Sequence, residues 1–171
     1  AARKKVPPLA YQVGSYVEAV VYPRSSGGLE LVDQPCLIRY FGFEGAKWRF
    51  WRRALDRTDR FIPQTRQDGR EILGLLLATG EVLERADSHA ILELSFLLRL
   101  LISLGYGPFL KRCLVCGSVN ELTCFSGRLG GVVCASCKHR EPSAFSLHPG
   151  ALDVMRFLSR VPLVQVLMVK Y

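Results

Sequence analysis

Residues 113–137 read CLVCGSVNELTCFSGRLGGVVCASC. Cys113 and Cys116, then Cys134 and Cys137, form two C-x-x-C pairs with seventeen residues between them. Each pair is a turn that aims two thiolates at one point, and two such turns complete a tetrahedral Zn²⁺ site. Gly117 follows the second ligand, where a tight turn favours a residue without a Cβ. Between the pairs, Thr123–Ser126 and Val132–Val133 flank Gly127-Arg128-Leu129-Gly130-Gly131, which reads as a short β-hairpin with one knuckle on each side. With four protein ligands, one zinc ion would hold the fold and leave no open position for substrate. Two disulfides are the alternative, but paired C-x-x-C spacing favours metal and nothing in the chain suggests secretion. His139 could substitute as a ligand, although four cysteines suffice. Cys124 and Cys36 fall outside the ligand spacing and read as buried, inert thiols.

Working outward, the segment Ala90–Leu104 is the longest apolar stretch and is interrupted by Glu93, Ser95, Arg99 and Ser103. It reads as a helix from about His89 to Leu104, capped by Asp87-Ser88. Leu94, Leu97, Leu98, Leu101 and Leu104 are expected on its buried side, and Ser95, Arg99 and Ser103 form a narrow polar stripe. Gly105 ends it and Pro108 prevents resumption. It is too short and too charged to span a bilayer. Upstream, Asp68-Gly69-Arg70-Glu71 matches a capping box for a helix through Ile72, Leu75, Leu76 and Leu83. Phe61–Asp68 before it reads as a loop. Downstream, Pro149 precedes a helix whose apolar face is Leu152, Met155 and Leu158. Leu163–Tyr171 is an apolar tail of undetermined type.

The first forty residues are different. Tyr11–Tyr22 alternates as a half-buried strand, with Tyr11, Val13, Val17, Ala19 and Val21 on one face. Residues 23–28 form a turn, Leu29–Val32 returns, Pro35 breaks the register, and Leu37–Phe41 makes a third strand. From Glu44 the period becomes helical. Trp48, Trp51 and Leu55 share one side, and Arg49, Arg53, Arg57 and Arg60 share another, with Arg52 beside them. The arginines suit a polyanion, and the tryptophans could stack on bases. The competing reading is a solvated basic face with both tryptophans in a core. Arg3, Lys4 and Lys5 form a basic N-terminal arm.

The net charge of +8, from 23 basic and 15 acidic residues, draws the chain to polyanions, of which nucleic acid is the commonest. A hydrophobic content of 49% excludes a disordered chain. No Gly-rich phosphate loop, nucleophile elbow or paired-carboxylate motif is visible, so the expected protein is not an enzyme. The start, with no apolar h-region after its basic residues, points to a reducing compartment: cytoplasm, nucleoid or an organelle matrix.

The stretch Leu94–Cys137 resembles the RecO family of bacterial recombination mediators. The matching residues are Leu100-Leu101-x-x-Leu104-Gly105-Tyr106-x-Pro108, Cys113-x-x-Cys116-Gly117 and Phe125-Ser126-x-x-x-Gly130-Gly131-x-x-Cys134-x-x-Cys137. Phe145-Ser146-Leu147-His148-Pro149 resembles the family's run before its next helix. Arg3-Lys4-Lys5, the strand Tyr11–Tyr22 and the Gly27-Gly28 turn resemble the last part of its OB-fold.

This resemblance implies an α+β protein: a partial OB-like sheet (residues 1–43), a helical domain (44–110 with 145–171) and an inserted zinc ribbon (111–144). It implies structural zinc on Cys113, Cys116, Cys134 and Cys137. It also implies DNA binding without catalysis, and partners similar to RecR, single-strand-binding protein and RecA. The opening OB strands are absent from this sequence. That leaves a second expectation, a RecO-like structural component of a large ribonucleoprotein such as an organellar ribosome, contacting RNA through the arginine-rich helix.

Overall fold

The structure, a computed structural model, describes residues 8–22, 31–62, 69–86 and 89–168. The chain divides into two compact units, Ala1–Leu55 and Asp56–Tyr171. The secondary structure is α+β, as expected. Antiparallel strands β1 (Ser15–Tyr22) and β2 (Leu31–Tyr40) are followed by the helices α1 (Gly45–Phe61), α2 (Arg70–Arg85) and α3 (Ala90–Ser103). Short strands β3 (Cys124–Ser126), β4 (Gly131–Val133) and β5 (Phe145–Ser146) precede helices α4 (Ala151–Leu158) and α5 (Leu163–Val166).

In the first unit, the expected three-stranded meander is two long strands among the described residues. Pro35 does not end a strand. It lies within β2 beside Gln34, whose φ is +50°, where the register shifts between Glu18 and Val20. A bulge there absorbs a residue that has no N–H to donate, so the ladder continues past it. The strand expected from Tyr11 begins only at Ser15, because Pro8–Tyr11 forms a 3-10 turn. The alternation holds in the middle of β1, where Val17 and Ala19 are half-buried and Glu18 and Val20 are exposed. It fails at Val21 and Tyr22, both exposed. The turn expected at residues 23–28 lies outside the described residues, as do Leu29 and Glu30.

Within α1, Phe50, Trp51 and Ala54 are buried. The Trp51 ring packs edge-on against Phe43 and tilted against Phe41, with centroids 5.7 and 5.1 Å away. Gly14 is required beside it: its φ is +96°, and a Cβ there would lie 3.0 Å from Trp51 Nε1. Trp51 is therefore a core residue, and only Trp48 remains half-buried.

In the second unit, α3 packs against α2, α4 and α5. Its most buried residues are Leu92, Ser95, Phe96 and Leu100, whereas Leu94, expected inside, is 50% exposed. Leucine surrounds this helix, so its periodicity names no preferred side. The expected polar stripe partly faces inward. Ser95 Oγ donates to the Leu158 carbonyl (3.2 Å) and accepts from Arg99 Nε (3.2 Å). Arg99 Nη2 donates to the Val161 carbonyl. These bonds satisfy carbonyls where α4 ends, which would otherwise lack partners. Burial shifts the Arg99 guanidinium below its ordinary pKa.

The end of α3 follows the expectation. Gly105 has φ +82°, its N–H reaches the Ile102 carbonyl (3.0 Å), and the Tyr106 N–H reaches Leu101 (2.7 Å). That pair of bonds is a Schellman motif. The capping residues expected at Asp68 and at Asp87-Ser88 lie outside the described residues, as does most of the loop Phe61–Asp68. Gly69 stands at the N-cap of α2 with no side-chain cap, and Glu71 instead accepts from Ser103 Oγ at 2.9 Å. The apolar tail contains the short helix α5, in which Leu163 and Val166 are buried.

Phe96 is fully buried at the centre of this unit. Phe96→Ala should destabilise the protein by about 3–5 kcal/mol, seen as an earlier urea transition in far-ultraviolet circular dichroism.

Candidate metal centre

The segment after α3 reaches the ribbon through Phe109, which pairs with Gly131 as a parallel bridge. A Cβ on Gly131 would lie 2.5 Å from the Phe109 carbonyl oxygen, so the close approach needs glycine. The first knuckle follows. The Gly117 N–H donates to the Cys113 carbonyl (2.9 Å), the Cys113 N–H donates to the Ser118 carbonyl (2.7 Å), and Gly117 has φ +78°. β3 and β4 form the expected hairpin, pairing Cys124 with Val133 and Ser126 with Gly131. The second knuckle leads from Cys134 into a 3-10 helix, Ala135–Arg140. β5 then pairs with the free side of β3, giving the order β4-β3-β5. This third strand was not anticipated, because two residues carry no readable period.

The two knuckles bring Cys113, Cys116, Cys134 and Cys137 together, with all four Sγ atoms within 4.8 Å of one another. All six cysteines are free thiols. Four metal–sulfur bonds of about 2.3 Å around a tetrahedral ion place sulfurs about 3.8 Å apart. Cys116 Sγ and Cys134 Sγ lie 3.7 Å apart. The donor set thus fits a metal ion.

Its electrostatics are those of crowded, mostly buried thiols. Burial pushes the Cys113 thiol up, but backbone hydrogen bonds from Cys134, Cys116 and Val115 outweigh it and bring it down to about 6. Burial, with the crowding of Cys116, Cys134 and Cys113, pushes Cys137 up to about 12. Cys134 is also raised, chiefly by burial. Several negative sulfurs cannot share this volume unless a cation offsets them.

Cys124 is buried beside the cluster, as expected for an inert thiol. Cys36, expected to be buried, is exposed on β2, because the sheet has only two strands among the described residues.

A carboxylate not singled out in the sequence braces the ribbon. Glu141, buried at 1% exposure, accepts from Arg128 through both oxygens and from the hydroxyls of Ser126 (3.2 Å) and Ser143. The Arg128 hydrogen bond, then Ser143, hold its pKa down at about 2. Only the chain reversal between β3 and β4 brings Arg128 to it, and no spacing rule marks that pair. Arg156 joins α4 to the same region, donating from Nε and Nη2 to the Leu110 carbonyl at 3.0 and 2.6 Å.

The described arginines expected to bind nucleic acid all lie on α1, on either side of the division between the two units. Arg49, Arg52 and Arg53 belong to the first unit and are exposed. Arg57 and Arg60 belong to the second. Arg60 is exposed, and Arg57 is half-buried and paired with Glu93 at 3.0 Å. Arg3, Lys4 and Lys5 lie outside the described residues.

Together these features describe an α+β protein whose helical unit carries a metal-competent four-cysteine ribbon. Residues 54–169 match the family model "Recombination protein O C terminal". The chain belongs to the RecO family. It is 28% identical over 141 residues to the DNA repair protein RecO of Syntrophomonas wolfei, covering 78% of this chain and 54% of that protein. It is 30% identical over 157 residues to its namesake in Symbiobacterium thermophilum, covering 87% of this chain and 61% of that protein. A third, from a Thermoanaerobacter strain, is 40% identical over 63 residues, 37% of this chain and 25% of that protein. The chain thus spans about half the length of the first of these relatives.

Glu141 has a testable pH signature. Its carboxylate titrates near 2 in the fold, against an ordinary value of 4.5. A lowered folded-state pKa contributes stability that is complete above the ordinary value and is lost as pH falls toward the folded one. The melting-temperature gap between the parent and Glu141→Gln should be constant above pH 5 and shrink between pH 4.5 and pH 2.

Proposed function

We propose that this chain is a DNA repair and recombination mediator that binds nucleic acid without making or breaking its bonds. The observation that carries this reading is the match of residues 54–169 to the C-terminal model of the RecO family. The relatives bear the name DNA repair protein. That supports the DNA reading and lends nothing to the ribonucleoprotein alternative. Among the described residues no helix is long and apolar enough to cross a membrane. The bacterial origin of the relatives favours cytoplasm or nucleoid over an organelle.

Zinc, in this reading, is structural. Cys113, Cys116, Cys134 and Cys137 supply all four ligands, and the ion neutralises thiolates that otherwise repel. It ties the two knuckles to the hairpin and leaves no position for a substrate. The arginines of α1 contact phosphates. Arg49 and Arg60, exposed on that helix, contribute more than Arg57, whose charge Glu93 already offsets. Proteins similar to RecR and to single-strand-binding protein are the expected partners.

Two measurements test these statements. Metal analysis should find one equivalent of Zn²⁺, and cobalt substitution should give tetrathiolate absorption bands that Cys113→Ser loses. A folded, metal-free protein would overturn the metal reading. In titrations of single-stranded DNA, log K should fall linearly with log salt, by about 0.7 per phosphate contact. Arg49→Ala and Arg60→Ala should each reduce that slope by about 0.7. An unchanged slope in both variants would remove α1 from the interface.

A further inference from the structure

The four cysteine residues are unequally exposed. Cys113, Cys134 and Cys137 are 2%, 3% and 6% exposed, whereas Cys116 is open to solvent. The backbone beyond Cys116 is uncrowded: a Cβ built on Gly117 meets no atom within 4 Å. Next to Cys116, Cys134 Sγ waits at 3.7 Å. Cys113 Sγ accepts the Val115 N–H at 3.4 Å, a bond that draws electron density from that sulfur.

From this asymmetry we infer that Cys116 is the peroxide-sensitive ligand of the cluster, and that its oxidation to a disulfide with Cys134 releases the zinc. The inference rests on the zinc reading proposed above.

The chemistry balances with hydrogen peroxide as oxidant. The Cys116 thiolate attacks one peroxide oxygen in line with the O–O bond, for which an open approach is essential. An S–O bond forms, the O–O bond breaks, and hydroxide leaves. Cys116 is then a sulfenic acid. The Cys134 thiolate attacks the Cys116 sulfur, the S–S bond forms, and the S–O bond breaks with loss of a second hydroxide. Two thiolates have lost two electrons, and one peroxide has gained them. Cys113 and Cys137 then remain as the only ligands, too few to hold a structural ion. Cys124 is buried and outside the ligand set, so it does not compete. Cys36 is exposed but is not a ligand, so its oxidation leaves the metal in place.

The test uses the full chain with Cys36→Ser, zinc content measured first. Peroxide is added with and without dimedone, which traps sulfenic acids. Peptide mass spectrometry locates the products, and a chromogenic pyridylazo dye follows zinc release. The first dimedone adduct should fall on Cys116. Without dimedone, a Cys116–Cys134 disulfide should form with one zinc freed for each, and thiol reductant plus zinc should reverse both. Cys116→His, which keeps a three-cysteine, one-histidine set, should bind zinc and release it several-fold more slowly under peroxide.

A first adduct on any buried cysteine overturns the inference. So does zinc retained under peroxide that oxidises free glutathione, or a Cys116→His variant as sensitive as its parent. A Cys116 disulfide to Cys113 or Cys137 overturns the assignment of Cys134. Absence of zinc before oxidation overturns the metal reading and this inference together. Zinc that is present but indifferent to peroxide overturns this inference alone.

Discussion

Four sulfur atoms confined within 4.8 Å cannot all ionise in protein without a cation to offset them. The polypeptide relieves part of this by itself. Backbone N–H groups favour ionisation at Cys113, while crowding and burial keep the proton on Cys137. A cation held by the four sulfurs would complete the balance. The hairpin here has strands of three residues, and short strands bury too little to stand alone. What fastens them is the sulfur cluster on one side and the Glu141 carboxylate on the other.

Glu141 and Arg99 solve related problems in opposite ways. Glu141 is a buried anion gathered in by a cation and two hydroxyls. Arg99 is a half-buried cation that donates to the Val161 carbonyl and to the Ser95 hydroxyl. Each places its charge where chain segments end: the carboxylate after the second knuckle, the guanidinium after α4. The Arg128 side chain is 67% exposed, so what separates the Glu141 joint from a surface ion pair is its buried carboxylate. Glu141 and Arg99 both join segments far apart in sequence, so the second unit depends on polar joints as well as on the Leu92, Phe96 and Leu100 core.

The first unit is arranged differently. Its two strands are long, bulged and open, and its apolar centre is the Phe41, Phe43 and Trp51 cluster. The family model covers residues 54–169, almost wholly the second unit. The strongest ground for kinship therefore lies in the helices and ribbon. The β-rich beginning leads into the basic helix α1, whose Arg57, in the second unit, pairs with Glu93 of α3.

Much of this was legible in the amino-acid order alone. Paired C-x-x-C turns locate four ligands because a knuckle is a local structure. The Gly105 stop, the hairpin from Thr123 to Val133 and the helical periods of α1 and α2 are likewise settled within a few residues. Tertiary structure alone decided which side of α3 faces inward, because leucine on all sides leaves periodicity nothing to choose between. It alone brought Arg128 onto Glu141, paired β5 with β3, carried β2 through Pro35 on a bulge, and left Cys116 as the one exposed residue of the four-cysteine cluster. Those outcomes depend on which distant segment supplies a hydrogen bond or excludes water, and no local pattern encodes that.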